Sequence, residues 1–357
     1  MARTLIQYIP EQLQEHQFTI FTDVDKDLEN LKSFKNVKVI TIPYKGKWDL
    51  FNWEQVKLPY FAKKQNIDLL HGTKNSIPYS GNFGKIATIH DLAYYRRPKS
   101  FTTLQRQHLK ISATICRKKA DRIVAVSENT KKDLIEILGI NENKINVIYN
   151  AIEERFFIKP DSRELEKTIR NYNLPQKFIL FVGTIQPRKN IEVLIRAYLE
   201  LQKEKKYLDM EIVFAGRKGW LYDELMSSLR ENPIKNKIRF IGKVTDEVLI
   251  HLYHLANIFA YPSDYDGFGL VPLEAMAAGT PVITSNISSI PEVVGEAAIK
   301  VNPRDAKAIT KAIKMLYNDN DLYQRLVLKG PEQSRLFNVE RQVKGYKNLY
   351  SELLSNK

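Results

Sequence analysis

Five side chains could do chemistry together: the carboxylates Asp266 and Glu274, the neighbouring cations Arg188 and Lys189, and His90. The carboxylates frame Asp266-Gly-Phe-Gly-Leu-Val-Pro-Leu-Glu274, preceded by the strand-forming run Ile258 to Tyr261, which Pro262 stops. Gly267 and Gly269 let backbone approach a ligand. Leu270 to Ala278 reads as a helix, with Pro272 in its first turn and Gly279 at its end. Strand, glycine loop and helix N-terminus aim free amides and a positive dipole end at one spot, which suits a phosphate or another anion. Arg188 and Lys189 lie just past the strand pattern Phe178 to Val182, where open α/β sheets bind ligands. A guanidinium can grip a diphosphate bidentately and an ammonium as a point charge.

Plainer readings compete at each position. Asp264-Tyr-Asp266 could be a pair for a divalent metal, although oxygen-ligand sites want further converging donors. Glu274 could be a solvated helix carboxylate, yet Leu273, Ala275, Met276 and Ala277 make that helix apolar nearly all round. Arg188 and Lys189 could be a solvated loop in a basic chain, and a lone histidine is more often structural than functional.

The elements that must position these residues follow from periodicity. In the first half, strands are expected at Phe18–Thr22, Val37–Ile40, Ile67–Leu70, Lys85–Ile89, Arg122–Val126 and Ile145–Tyr149. Helices are expected at Thr4–Leu13, Glu54–Lys64 and Phe101–Ala120, with another running from a Ser127 cap to Leu138, and Tyr44–Trp53 reads as an aromatic loop. His90-Asp91 would then emerge at a strand's carboxyl end. Asn150 to Leu174 reads as a linker. Further strands follow at Phe178–Val182, Ile212–Ala215, Lys237–Ile241 and Ile258–Tyr261, alternating with helices, and Val339–Leu354 is an amphipathic helix. The alternation predicts an α/β fold with two parallel, doubly wound sheets.

At 357 residues two domains are expected. A single cysteine, Cys116, excludes an internal disulfide framework and fits a reducing compartment. No apolar run reaches a membrane span and the start lacks a signal-peptide pattern, so the expected location is cytoplasmic, with a peripheral membrane contact as an option. The net charge of +14 is spread along the chain without a nucleic-acid motif, which argues against nucleic acid. The clearest cluster, Arg117-Lys118-Lys119 with Arg122, ends the amphipathic pattern Leu104, His108, Ile111, Ile115. It reads either as cations at a helix C-terminus or as a face for an anionic membrane.

The stretch from Asp266 to Val282, with Ser285-Asn286 and Pro291-Glu292 downstream, resembles the E-x7-E motif of retaining family 4 glycosyltransferases. The resemblance covers nearly the whole chain and implies the GT-B fold. An acceptor-side Rossmann-like domain is expected at 1–155 and a nucleotide-sugar-binding one at 156–335, facing a cleft. Residues 336–357 would form a helix packing back on the first domain. The family's pattern puts a phosphate-binding lysine at Lys189, with Arg188 beside it and Thr184 where many members have arginine. It puts a carboxylate for ribose hydroxyls at Glu274 and one for sugar hydroxyls at Asp266, which is one methylene shorter than the usual Glu. Backbone meeting the base falls at Val244, and the histidine approaching the transferred sugar falls at His90. Gly267, Phe268, Gly269 and Leu270 would present amides to the diphosphate and sugar.

The activity implied is metal-independent transfer of a hexose from a GDP- or UDP-linked donor, with no cofactor and no covalent nucleophile. Thr-Ile-His-Asp-Leu and Gly-Thr-Ile-Gln-Pro-Arg-Lys-Asn are similar to motifs of bacterial mannosyl- and rhamnosyltransferases of surface polysaccharide assembly, so mannose and a lipid-linked or saccharide acceptor are favoured. Two alternatives stand beside this reading, a sugar-nucleotide epimerase on the same frame and a non-catalytic nucleotide-sugar binder. Family members usually open with a strand and a glycine-rich loop. This sequence opens on its first helix pattern, which implies a less stable and less active chain than a complete relative.

Overall fold

The computed structural model describes residues 2–23, 31, 34–219, 227, 229, 232 and 234–355. The chain forms two compact units, Met1–Ala151 together with Val339–Lys357, and Ile152–Asn338. Among the described residues every strand pairing is parallel, as crossover helices between consecutive strands require.

The first unit opens with α1 (Ala2–Gln12), β1 (Phe18–Thr22) and β2 (Val37–Thr41), the two strands forming a small sheet. The segment expected as an aromatic loop is helical from Gly46. Helix α2 (Gly46–Asn52), a π-helical turn (Trp53–Lys57) and α3 (Leu58–Lys64) follow one another directly. Two local bonds explain the difference: Asp49 accepts from the Lys45 N–H (2.9 Å), and the Trp53 indole donates to the Ile42 carbonyl (2.6 Å). Next come β3 (Leu69–Gly72), β4 (Gly84–Ile89), α4 (Ala93–Arg96), α5 (Thr103–Lys119), β5 (Arg122–Ala125), α6 (Glu128–Leu138) and β6 (Ile145–Val147). The four strands lie in the order β3-β4-β5-β6. Strand β3 starts two residues later than the sequence pattern suggests, so His71 lies within it. Helix α5 starts at Thr103 because Thr102 and Gln105 close a capping box.

Side chains alternate across this sheet. Ala87, Ile89, Ile123 and Ala125 pack on one face against α5 and α6. Ile86 and Val124 pack on the other against α1 and the C-terminal helix Val339–Ser355, which supplies Val343, Tyr346 and Leu349. That helix is also tied by hydrogen bonds: Tyr350 Oη meets His71 Nδ1 (2.6 Å), His71 Nε2 meets Thr88 Oγ1 (2.7 Å), and Tyr346 Oη meets Thr88 Oγ1 (3.2 Å).

The second unit begins inside the expected linker. Helix α7 (Ser162–Tyr172) is capped by Asp161 and stopped by left-handed Asn173. Only Leu165 and Thr168 of α7 are buried, and Thr168 Oγ1 bonds His251 Nδ1 (2.7 Å). So thin an apolar stripe among charges explains why the segment reads as linker. Then follow β7 (Phe178–Val182), α8 (Ile191–Leu201), β8 (Glu211–Ala215), β9 (Ile238–Gly242), α9 (Asp246–Leu255), β10 (Ile258–Tyr261), α10 (Leu270–Ala277), β11 (Val282–Ser285), α11 (Ile290–Val294), β12 (Ile299–Val301), α12 (Ala306–Asn318) and α13 (Asn320–Arg335). The sheet order is β12-β11-β10-β7-β8-β9. From β7 the chain winds outward one way through β8 and β9, and from β10 the other way through β11 and β12. The switch point therefore lies between β7 and β10, where crevices form at strand carboxyl ends. No helix among the described residues is long and apolar enough to cross a membrane.

Candidate active site

The loops that leave β7 and β10 carry the charged residues singled out from the sequence, and the strand order makes these loops neighbours. Backbone bonds knit them together: Asp264 N–H donates to the Arg188 carbonyl (2.7 Å), and the Asn190 amide donates to the Pro262 carbonyl (3.0 Å). The loop after β8 closes on the same end of the sheet. A side chain at Gly216 (φ +152°) would lie 2.0 Å from the Gly183 carbonyl oxygen, so glycine is required there.

Asp266, Arg188 and Lys189 form one ion-pair cluster. Lys189 Nζ lies 2.7 and 2.9 Å from the two Asp266 oxygens, and Arg188 Nη1 lies 3.3 Å from Oδ1. Arg188 Nη1 also donates to the Tyr265 carbonyl (2.9 Å). Lys189 is buried, sits over the Tyr261 ring (4.6 Å) and bonds its hydroxyl. That ring is stacked between Phe181 and Phe259, which fixes the lysine's floor. The Asp266 backbone is fastened as well, its carbonyl accepting from Ser288 Oγ (2.6 Å) and Ser289 Oγ (2.8 Å). Burial drives the Asp266 carboxyl upward, but Lys189 and Arg188 outweigh it and hold the group below its ordinary value. Both expected phosphate-binding cations are thus gathered on the expected sugar-binding carboxylate.

Asp264, weighed above as a metal ligand, is bound bidentately by Arg304 through two 2.8 Å contacts. Among the described residues no group of three His, Cys, Asp or Glu converges as a metal site would.

Beyond Asp266 the backbone makes a tight turn into α10. Gly269 has φ +96°, and a Cβ there would lie 2.7 Å from Ile290 Cδ1. Phe268 is buried, edge-on to Phe337 (5.5 Å). Gly269 caps α10 without a side chain, and the first intrahelical bond runs from Leu273 N–H to the Gly269 carbonyl (3.3 Å). The amides of Leu270 and Val271 therefore precede the helical ladder and stand at its positive end. One turn on, half-buried Glu274 accepts from the Tyr253 hydroxyl of α9 (2.8 Å). Burial pushes Glu274 up to about 8, against the pull of Tyr253 and Arg155, and Glu153 and Asp246 push it the same way as burial. Val244 lies half-buried in the loop between β9 and α9.

His90 belongs to the first unit, directly after β4. Its backbone N–H donates to Asn75 Oδ1 (2.6 Å), and Nε2 lies 2.8 Å from the Thr73 carbonyl. A carbonyl only accepts, so Nε2 carries the proton and Nδ1 the lone pair. Burial lowers the pKa of His90, which keeps the ring neutral.

Sequence reasoning did not single out Tyr261, Tyr253, Ser288, Ser289 or Arg304. For the two tyrosines a signal existed: each lies in an apolar stretch whose burial demands a partner for the hydroxyl.

Comparison with known proteins accounts for most of the chain. Residues 1–156 match the family model described as Glycosyltransferase Family 4, and residues 162–333 match Glycosyl transferases group 1. The O-antigen chain mannosyltransferase B of Escherichia coli is 31% identical over 256 residues, covering 71% of this chain and 67% of that protein. The O-antigen chain mannosyltransferase RfbU of Salmonella typhimurium is 29% identical over 280 residues, covering 78% and 72%. The Anabaena protein Alr3699/HepE, solved in complex with UDP-glucose, superposes with a TM-score of 0.77 at 17% identity, covering 98% of this chain and 95% of that one.

Proposed function

The chain belongs to glycosyltransferase family 4 and has its GT-B architecture, and from that premise we propose a retaining hexosyltransferase. It would move a hexose, with mannose favoured, from a nucleotide-diphosphate sugar to a lipid-linked or saccharide acceptor. The observation that carries this reading is the meeting of Arg188, Lys189 and Asp266 at the β7–β10 switch point, beside the first turn of α10.

A diphosphate bound there gains negative charge as the glycosidic bond breaks. The guanidinium, the ammonium and the α10 amides stabilise that charge without a metal. Gly267, Phe268, Gly269 and Leu270 present backbone to the diphosphate and sugar, Glu274 accepts from ribose hydroxyls, and Val244 borders the base. Asp266 acts at the sugar, exchanging part of its contact with Lys189 for sugar hydroxyls. Retention follows from attack on the face the nucleotide leaves, so no side chain forms a covalent link. The mannosyltransferase relatives support mannose, and the UDP-glucose complex of HepE supports a nucleotide sugar.

The first unit supports a peripheral site at the cytoplasmic face of an anionic membrane. Helix α5 carries Arg106, Lys110, Arg117, Lys118 and Lys119, no acidic residue, and exposed Leu104 and Ile111.

The test is thermal unfolding with GDP, UDP, dTDP and their sugars, on the wild type and on Glu274→Ala, followed by turnover. One nucleotide should raise the melting temperature of the wild type alone, and its sugar should release nucleotide only when acceptor is present. Conversion of the donor without acceptor would mean an epimerase, and binding without turnover a non-catalytic protein.

A further inference from the structure

Glu274 has an unusual set of neighbours for a half-buried carboxylate. Arg155, the cation whose charge acts on Glu274, is already engaged by two other acids, Glu153 at 2.8 Å and Asp246 at 3.1 Å. The neutral hydroxyl of Tyr253 is the hydrogen-bond donor that meets Glu274, at 2.8 Å on Oε2. Tyr253 is fully buried, edge-on to Phe259 (5.6 Å) and 6.2 Å from Phe156. Its own carbonyl accepts from Thr280 Oγ1, just beyond the C-terminal end of α10. One tyrosine thus braces α10 at two points, the carboxylate within it and the turn that ends it.

We propose that Tyr253 is a positioning residue for the donor's ribose: its hydroxyl ties down Oε2 of Glu274 and leaves the other oxygen to accept from ribose hydroxyls. This rests on the assignment of Glu274 to the ribose made above. The chemistry suits the task. A salt bridge to a cation would saturate the carboxylate and hold it ionised, whereas a neutral donor orients one oxygen and leaves the second available. The charged groups acting on Glu274 are Arg155, Glu153 and Asp246, and Tyr253 itself faces Tyr261 besides Glu274. Helix α13 meets α10 through uncharged groups, Gly330 against Met276 and Ser334 Oγ on the Leu273 carbonyl (3.1 Å). Burial outweighs the pull of the shared Arg155 and pushes Glu274 up to about 8, so ribose binding draws it towards the ionised form and releases a proton.

The experiment compares GDP and UDP with their 2′,3′-dideoxy analogues, across pH, on the full chain carrying Tyr253→Phe or Glu274→Gln. Phe keeps the ring packing and removes the hydroxyl alone. Near neutral pH, Tyr253→Phe should weaken binding of the ribose nucleotide about tenfold, or about 1.4 kcal/mol. It should shift the rise of affinity with pH about one unit upward and leave kcat at saturating donor nearly unchanged while KM rises. The dideoxy analogue should show none of this. That comparison is internal to each variant, so a loss of folded protein cannot imitate it. On the wild type, calorimetry in buffers of different ionisation enthalpy should register proton release on binding at about pH 8, absent in Glu274→Gln; its absence from the wild type overturns the proposal even if Tyr253→Phe does not fold. An unshifted pH profile in Tyr253→Phe, with Glu274→Gln still weakened, overturns the role of Tyr253 alone. Equal loss of ribose and dideoxy ligands, or no loss, in Glu274→Gln overturns the ribose assignment itself.

Discussion

Asp266 and Glu274 stand eight residues apart on one loop and helix, and desolvation pushes both carboxyls towards the neutral form. They end on opposite sides of the ordinary value. Asp266 faces two cations at contact distance, and the cations prevail. Glu274 has a tyrosine hydroxyl and the pull of an arginine already shared by Glu153 and Asp246, and burial prevails. Burial alone therefore says little about a carboxylate's charge; what matters is how closely cations engage it. Two acids with separated titrations can divide their roles, one permanently anionic and the other responsive near neutral pH.

Removing the cation from the first site should break this contrast most severely. Lys189→Ala takes the closest cation from the Asp266 carboxylate and leaves it the longer Arg188 contact and hydroxyl donors, and should cost about 3–5 kcal/mol of stability in urea unfolding. Adding Asp266→Asn should recover much of that loss, because no stranded charge remains. A Lys189→Ala protein as stable as the wild type would show that Asp266 is not held by this lysine.

The second site should appear in the pH dependence of stability. Glu274 is raised in the folded state, so the folded protein binds the extra proton between about 4.5 and 8. Its contribution is fully present below about 4.5 and declines as pH rises to about 8. Glu274→Gln should therefore be the more stable protein at about pH 8, by roughly 2–3 kcal/mol once solvent screening of the half-buried carboxylate is allowed for, and nearly equal to the wild type in acid. Parallel pH curves would mean that Glu274 is not raised.

The smallest effect sharpens the comparison from outside. Arg304 holds Asp264 bidentately but is itself 62% exposed, so Arg304→Ala should cost about 1 kcal/mol in the same unfolding assay. A loss as large as that of Lys189→Ala would put Asp264 in the class of Asp266.

These pairings were only partly legible in the sequence. The runs Phe178–Val182 and Ile258–Tyr261 could be read as buried strands because they are continuous and apolar, and the glycine loop and α10 follow from local chemistry. Helix α7 escaped because only two of its side chains are buried. The bond between Lys189 and Asp266 spans 77 residues and exists because β10 pairs with β7, so it depends on strand order, which local pattern does not encode. The bond of Tyr253 to Glu274 similarly requires α9 to lie against α10.

The helix Val339–Ser355 gives the molecule a definite order of completion during synthesis. Residues 152–338 are all available before Val343, Tyr346 and Leu349 emerge, yet the core beneath Ile86 and Val124 contains those three side chains. The second unit can therefore close first, against the usual tendency for N-terminal domains to lead. Until that helix leaves the ribosome, part of the first unit's apolar sheet face around Ile86 and Val124 lacks its cover, and the nascent chain waits in that state while the intervening second unit is made.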